Sequence, residues 1–213
     1  MTQIIKDLFI SRYAVAMKNL TVALVLTVIF LGPAFGAVSR LALLPESTLS
    51  LKGDSTLHPY TSTATVVQVE GEFTPAGTLA QAVASGQMMK FEVTIPVKGL
   101  KSGESGLDKR LYKALNSDRF PDIHFSLSKY AVVPSPSAIK ADGVLSIAGK
   151  EKPVELNAAL SFSGNRMEIQ GNYKLLMTDY GIKPPTLMLG AIKVGAPVTI
   201  YFDLFLTTKE EVQ

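Results

Sequence analysis

Long stretches of this sequence alternate between apolar and polar residues, and this pattern limits the possible folds more than any other feature. Over residues 154–162 almost every second side chain is apolar, and the same alternation occurs over residues 91–97, 167–175 and 198–206. Successive side chains of a β-strand point to opposite faces, so each stretch is predicted to be a strand with one apolar and one polar face. Such strands are typical of antiparallel sheets that are solvated on one side.

Turn-forming residues separate these strands. Ser163-Gly164-Asn165 lies between two long alternating stretches and predicts a tight hairpin, and residues 148–153 separate another pair. The second half of the chain, from about Lys140, is therefore predicted to be a meander of neighbouring strands. The shared apolar face must be buried, either between two packed sheets or inside a closed barrel, and the alternation fits both. A barrel of about eight strands has room inside for side chains or for one slender ligand.

Two segments depart from the alternation and are predicted to be short helices. The first lies within Thr74–Gln87 and is weakly signalled. The second, Ser105–Asn116, has leucines at every fourth position, which gives a narrow apolar stripe. Ser105 is predicted to be its N-cap, with Asp108 three positions later as in a capping box. The fold class is therefore all-β with one or two short helices.

The N-terminus has the pattern of a secretory signal peptide. Residues 20–31 are twelve uncharged, mostly apolar residues, preceded by Arg12 and Lys18 and followed by small residues, so residues 1–36 are predicted to be removed after Gly36. A retained anchor is the alternative, but twelve residues fall short of the roughly 20 that span a bilayer. Met17 would itself be a normal start, so an over-long gene prediction is an alternative reading of residues 1–16. The location expected from this pattern is periplasmic or secreted.

Charge and cysteine content exclude several classes of function. The leader holds three of the 21 basic and one of the 18 acidic residues, so the domain at residues 37–213 has 18 basic and 17 acidic residues. Without a run of Lys and Arg, this balance argues against a nucleic-acid partner. The chain has no cysteine, which excludes disulfides, thiolate metal sites and a cysteine nucleophile.

Six sequence fragments, in order, resemble the YceI-like family of lipid-binding proteins. They are Gly53-Asp54-Ser55-Thr56-Leu57-His58, residues 95–103, residues 107–115 with Phe120-Pro121-Asp122-Ile123-His124-Phe125, residues 143–154, Asp179-Tyr180-Gly181-Ile182-Lys183-Pro184-Pro185, and Ile192-Lys193-Val194. The fragments span about Leu49 to Leu206. The resemblance implies an extended, antiparallel, eight-stranded lipocalin-like barrel around a long apolar channel, a polyisoprenoid-type ligand, an exported location and no catalysis.

Strand alternation then predicts which side chains line that channel. The predicted ligand-binding residues are Phe91, Val93, Ile95, Phe125, Leu127, Leu156, Leu160, Phe162, Ile169, Tyr173, Leu175, Met177, Tyr180, Ile200, Phe202 and Leu204. A shift of one residue in any strand would turn its whole set to the outside. An ordinary packed core is the alternative interpretation of the same apolar residues.

The sequence offers little support for a catalytic site or a metal site. His58 and His124 are the two histidines, and Asp122 near His124 is too common a pairing to indicate a metal site. Ser55 and His58 are close in sequence, but a hydrolase also needs an orienting acid and an oxyanion hole. No catalytic residue, metal or cofactor is therefore predicted.

The predicted function is that of an exported carrier or buffer for an apolar lipid, such as a polyisoprenoid, an isoprenoid quinone or a prenyl phosphate. Contact with the membrane is predicted to be transient, for lipid exchange, and the sequence does not predict an oligomeric state. Two rival hypotheses stay open at this point. One is a structural or stress-related surface protein with a filled core, and the other is a lipid-modifying enzyme that uses His58 or His124.

Overall fold

The computed structural model describes residues 38–75, 77–133, 137–187 and 191–209. The predicted signal peptide therefore lies outside the described residues. Within these ranges the chain forms twelve strands and two α-helices. The strands are β1 (Ser39–Leu43), β2 (Thr48–Ser55), β3 (Tyr60–Ala64), β4 (Gln68–Phe73), β5 (Met88–Pro96), β6 (Leu100–Lys101), β7 (Asp122–Val133), β8 (Ala138–Ile147), β9 (Lys150–Ser163), β10 (Arg166–Leu176), β11 (Thr186–Leu187) and β12 (Ile192–Thr208). The helices are α1 (Leu79–Ala84) and α2 (Ser105–Ala114).

The strands form a closed, antiparallel, eight-stranded barrel. Three of the eight barrel strands are interrupted, and each consists of two consecutive shorter strands. These are β1 with β2, β3 with β4, and β5 with β6. β7, β8, β9, β10 and β12 are the other five, in sequence order. The barrel closes because β1 and β2 pair with β12 on one side and with β4 and β3 on the other. The predicted all-β barrel with short helices is confirmed.

Strand register follows the apolar alternation. On β9 the even-numbered residues from Val154 to Leu160 are buried or half-buried, whereas Glu155 and Asn157 are exposed. Leu160 is opposite Ile169 on β10, and that residue is opposite Leu204 on β12. Apolar side chains of neighbouring strands therefore face the same interior, which is why period-two segments of the sequence close into one core.

One irregularity changes which side chains of β7 point inward. The register with β8 shifts between Leu127 and Lys129, as in a β-bulge. Up to Leu127 the odd-numbered residues face the interior, and beyond the shift Tyr130 takes an inward position opposite Ala141. A bulge adds one residue to a strand and so reverses its alternation.

The two predicted hairpins differ in how well they match the structure. The β9–β10 turn consists of Gly164 and Asn165, as predicted. The predicted loop at residues 148–153 is shorter than expected, because Lys150 to Pro153 belong to β9. Ala148 and Gly149 alone make that turn, with φ angles of 50° and 75°. Two consecutive positive φ values are the backbone of the tight turn that matches strand twist.

Helix α1 closes one end of the barrel and has a complete capping box. The Thr78 hydroxyl accepts a hydrogen bond from the Gln81 amide, and the Gln81 side chain accepts one from the Thr78 amide. Its Leu79, Ala82 and Val83 are buried in the core. The sequence predicted this helix only weakly because its six residues complete fewer than two helical turns, which is too short for a clear periodicity.

Helix α2 begins where predicted, but its predicted cap is wrong. Glu104 occupies the N-cap position without a side-chain hydrogen bond, and Ser105 is the first helical residue. Asp108 instead accepts two hydrogen bonds from Ser102, from its hydroxyl at 2.6 Å and from its amide at 2.8 Å. The Asp108 carboxylate therefore stabilises the loop that precedes the helix and does not take part in an N-terminal cap. Among the described residues, neither helix has the length and apolar character needed to cross a bilayer.

Candidate ligand-binding cavity

An apolar cavity lies inside the barrel, with a volume of about 130 Å³ for the centre of a water-sized sphere. Seven strands and helix α1 supply its lining, which contains no charged side chain. The lining residues are Leu49, Val83, Met88, Phe91, Val93, Ile95, Ile123, Phe125, Leu127, Tyr130, Ile139, Ala141, Leu145, Val154, Leu156, Ala158, Met167, Ile169, Tyr173, Ile200, Phe202 and Leu204. Such a lining favours hydrocarbon and offers a charged group nothing to pair with.

Eleven of the sixteen predicted ligand-binding residues line this cavity. They are Phe91, Val93, Ile95, Phe125, Leu127, Leu156, Ile169, Tyr173, Ile200, Phe202 and Leu204. The other five lie toward the two ends of the barrel. Leu160 and Phe162 are at the end closed by α1, and Leu175, Met177 and Tyr180 are at the opposite end. Ligand binding by all sixteen residues stays a prediction.

Several lining residues are absent from the predicted set. Ile123, Val154, Ala158 and Met167 continue the alternation of strands from which other members were chosen, so a stricter use of the pattern would have found them. Tyr130 could not be found in this way, because the bulge reverses the alternation before it.

Tightly packed side chains close both ends of the barrel. At the α1 end Leu41, Leu79, Met167 and Leu206 are at most 2% exposed. At the opposite end Val97, Leu100, Ile147, Tyr180 and Ile182 are likewise buried. The cavity therefore lies in the middle of the barrel, between these two groups of buried side chains, and we call it the central chamber.

A second, more polar cavity adjoins the chamber at the wall formed by β9 and β10. Its volume by the same measure is about 440 Å³. Its lining residues are Lys152, Pro153, Tyr173, Lys174, Leu175, Leu176, Asp179 and Tyr180. We call it the outer cavity. Tyr173 belongs to the lining of both cavities and therefore stands between them.

The phenols of this region are held in their neutral form. Burial raises the pKa of Tyr180 to about 12, with smaller contributions from nearby Tyr173 and Asp179. Burial also raises the pKa of Tyr173, and the charge of Asp179 adds to this effect. Both hydroxyls therefore carry their protons at physiological pH and can donate hydrogen bonds.

Both histidines lie away from the central chamber. His124 is on the outer face of β7, where its Nδ1 is 3.0 Å from the Thr94 hydroxyl. His58 lies in the exposed loop between β2 and β3, with its Nδ1 2.8 Å from the Pro59 carbonyl oxygen. Within the described ranges no three His, Cys, Asp or Glu side chains cluster in a way that could hold a metal ion.

The architecture matches solved structures of distant sequence. BcnA from Burkholderia cenocepacia is 17% identical with a TM-score of 0.61, and the match covers 75% of this chain and 95% of that one. A YCEI protein of Campylobacter jejuni is 16% identical with a TM-score of 0.55, covering 70% and 85%. A polyisoprenoid binding domain from Saccharophagus degradans is 14% identical with a TM-score of 0.57, covering 80% and 98%. At these identities the likeness concerns the fold.

Sequence comparison supplies the family. No curated protein matches the chain significantly. The model of the YceI-like domain matches residues 49–206, which include almost the whole barrel and the walls of both cavities. The chain therefore belongs to the YceI-like domain family.

Proposed function

We propose that this protein holds a single long-chain apolar lipid in the central chamber and acts as an exported carrier or buffer for it. The observation that carries the proposal is the lining of the chamber, in which 20 of the 22 side chains are hydrocarbon or thioether and the other two are tyrosines. Polyisoprenoids, isoprenoid quinones and prenyl phosphates are the ligand class, and the polyisoprenoid binding domain of similar fold supports this choice.

The energetics of apolar burial are sufficient for tight binding. Burying one CH₂ group contributes roughly 0.8 kcal/mol, so about twenty prenyl carbons would contribute on the order of 16 kcal/mol before costs. Ordering a flexible chain and the loss of its translational freedom offset much of this gain. Affinity should therefore rise with the length of the chain until the available space is filled.

The chamber must adapt to hold a chain of that length. Its 130 Å³ is similar to the apolar cavity of about 150 Å³ that accommodates benzene in an engineered protein. Met88 and Met167 line it, and methionine side chains rearrange more readily than branched ones. A long prenyl chain would therefore displace lining side chains, extend beyond the chamber, or do both.

Binding without a chemical step is the form of action that we propose. The rival enzyme hypothesis used His58 or His124 as a base, and neither side chain belongs to the lining of the chamber. A base acts on a group within hydrogen-bond reach, so a reaction on a buried prenyl chain would need another residue.

Native mass spectrometry followed by lipid extraction tests the proposal. The mature protein would be purified from the cells that naturally produce it. A prenyl lipid that co-purifies at about one molecule per chain would support the carrier function and identify the ligand. A protein mass without ligand, unchanged after incubation with prenyl quinones and prenyl phosphates, would contradict it and favour the filled-core structural protein.

A further inference from the structure

The wall of the barrel has a gap between β9 and β10, where the two strands are no longer paired. These strands pair from the hairpin as far as Ala158 opposite Gly171, and the register ends there. β10 nevertheless stays paired with β12 to Leu176, and β9 stays paired with β8 to Lys150. Beyond Gly171 the two strands therefore diverge, and their facing edges leave backbone groups outside the ladder. The outer cavity lies in this gap.

A second gap, between the first residues of β5 and strand β7, is bridged by hydrogen bonds and gives a comparison. β5 pairs with β7 over residues 92–96, so residues 88–91 are outside that pairing. There the Tyr130 hydroxyl bonds both the Met88 amide and the Val83 carbonyl, and α1 lies against β7. At the β9–β10 gap a short 3-10 helix, Met177–Tyr180, contacts both strands, but in the part of the chain that the structure describes no side-chain hydrogen bond bridges the two strands there.

At the β9–β10 gap the chamber and the outer cavity share a lining side chain, Tyr173. Buried side chains fill both ends of the barrel, whereas at the gap the Tyr173 side chain separates the chamber from the outer cavity. The aromatic ring can rotate without any change in strand pairing, because its own backbone stays paired with Ile200 on β12.

The outer cavity has the chemistry of a head-group site rather than of a hydrocarbon site. Lys152 and Lys174 place two positive charges on its wall, and Asp179 places one negative charge there. The neutral Tyr180 phenol is a further hydrogen-bond donor. A charged head group would stay here, because moving it into the apolar chamber would remove its solvation without supplying a partner.

We propose that the β9–β10 gap is the portal through which the lipid enters and leaves the barrel, and that an anionic head group of phosphate type rests in the outer cavity against Lys152 and Lys174. The proposal rests on lipid binding as the function. The prenyl chain passes Tyr173 into the chamber, and its excess length occupies the gap.

The portal is tested by bridging the gap. Glu155→Cys with Asn172→Cys places two thiols on the exposed face of the diverging strands and leaves both lysines of the outer cavity in place. The absence of natural cysteine makes the pair unique. A short bis-methanethiosulfonate reagent links the pair, and a reducing agent reopens it. The control is Ala159→Cys with Gln170→Cys, two directly opposite positions in the paired part of the same two strands. Lipid is loaded before linking, and its release is then measured.

Geranylgeranyl phosphate and geranylgeraniol, which share one chain, are the probes. We expect linking to slow the release of either probe at least tenfold in the gap pair, with recovery on reduction, and to leave the control pair unchanged. Equal release before and after linking of the gap pair would overturn the portal while leaving lipid binding intact. Failure of every unlinked form to bind either probe would overturn the proposed function and the portal with it.

The head-group site is tested by charge removal. Lys152→Gln with Lys174→Gln should weaken geranylgeranyl phosphate at least fivefold and leave geranylgeraniol within twofold. Lys140→Gln, an exposed lysine on the outer face of β8, is the control and should affect neither probe. Equal weakening of both probes, or of neither, would overturn the head-group assignment.

Discussion

The Tyr130 hydroxyl donates a hydrogen bond to the carbonyl oxygen of Val83 at 2.9 Å, which joins strand β7 to the last turn of α1. The same hydroxyl accepts a hydrogen bond from the Met88 amide at 3.2 Å, so one phenol serves both the helix and the first residue of β5. Burial raises the pKa of Tyr130, which keeps its proton available for the bond to Val83. This side chain therefore closes the gap between β5 and β7.

Tyr130→Phe should reduce the free energy of unfolding by about 1–3 kcal/mol, because it removes the hydroxyl acceptor of the partly buried Met88 amide and one of the two donors to the Val83 carbonyl, which keeps its bond from the Gly86 amide. Urea unfolding monitored by circular dichroism measures the change. Tyr201→Phe is the matched control, since Tyr201 lies on the outer face at 42% exposure, and its effect should be within about 0.5 kcal/mol. Equal stability of the two variants would show that the hydroxyl contributes nothing.

Ala158→Leu should weaken the binding of geranylgeraniol at least tenfold. Ala158 lines the chamber, and the added carbons would occupy space that the lipid needs. Ala159→Leu is the control, because the neighbouring residue on the same strand faces outward. Binding is measured by displacement of a fluorescent lipid, and urea unfolding confirms that both variants fold. Equal affinity of the two variants would indicate that the lipid binds elsewhere.

Gly143→Ala should destabilise the barrel by about 1–3 kcal/mol through overcrowding. A methyl group built on this glycine would lie 2.5 Å from Phe125 Cε2 and 2.5 Å from the Ser126 carbonyl oxygen, and the backbone oxygen cannot move aside easily. Gly106→Ala provides the contrast, because its nearest neighbour would be Arg110 at 3.8 Å and alanine favours a helix. In thermal unfolding, the melting temperature of Gly143→Ala should be lower than that of the parent protein, and the melting temperature of Gly106→Ala should be higher.

Asp108→Asn should lower stability at pH 7 by about 1 kcal/mol, and the deficit should narrow in acid. The hydrogen bonds from the Ser102 hydroxyl and amide hold the pKa of the Asp108 carboxyl below its usual range. A lowered folded-state pKa contributes stability above the unfolded value of about 3.9 and loses it as pH falls through the folded value. Denaturation from pH 7 to 2.5 measures the difference.

The control for the acid experiment is Asp118→Asn. Asp118 pairs with Lys98, but its side chain is 90% exposed, so its ion pair should contribute little at any pH. A deficit of Asp108→Asn that stays constant down to pH 2.5 would argue against a role for the charge of this carboxylate.

The sequence by itself determined the faces of the strands. Between Val154 and Phe162, and again between Met167 and Leu175, burial alternates as the residues do, because a strand has no other way to divide apolar from polar side chains. The hairpin at Gly164 and Asn165 could also be predicted from its own residues alone. Ordered family fragments predicted closure into a barrel, which alternation alone left open.

Only the tertiary structure decided where the barrel is open. The inward turn of Tyr130 depends on a bulge that its neighbours in sequence do not signal. Leu160 and Leu175 have the same alternation as Leu156, yet they lie toward the closed ends of the barrel, because packing against distant residues decides whether an inward side chain borders a void. The divergence of β9 from β10 likewise becomes visible only in the sheet, where β9 stays paired with β8 and β10 stays paired with β12 after their own pairing has ended.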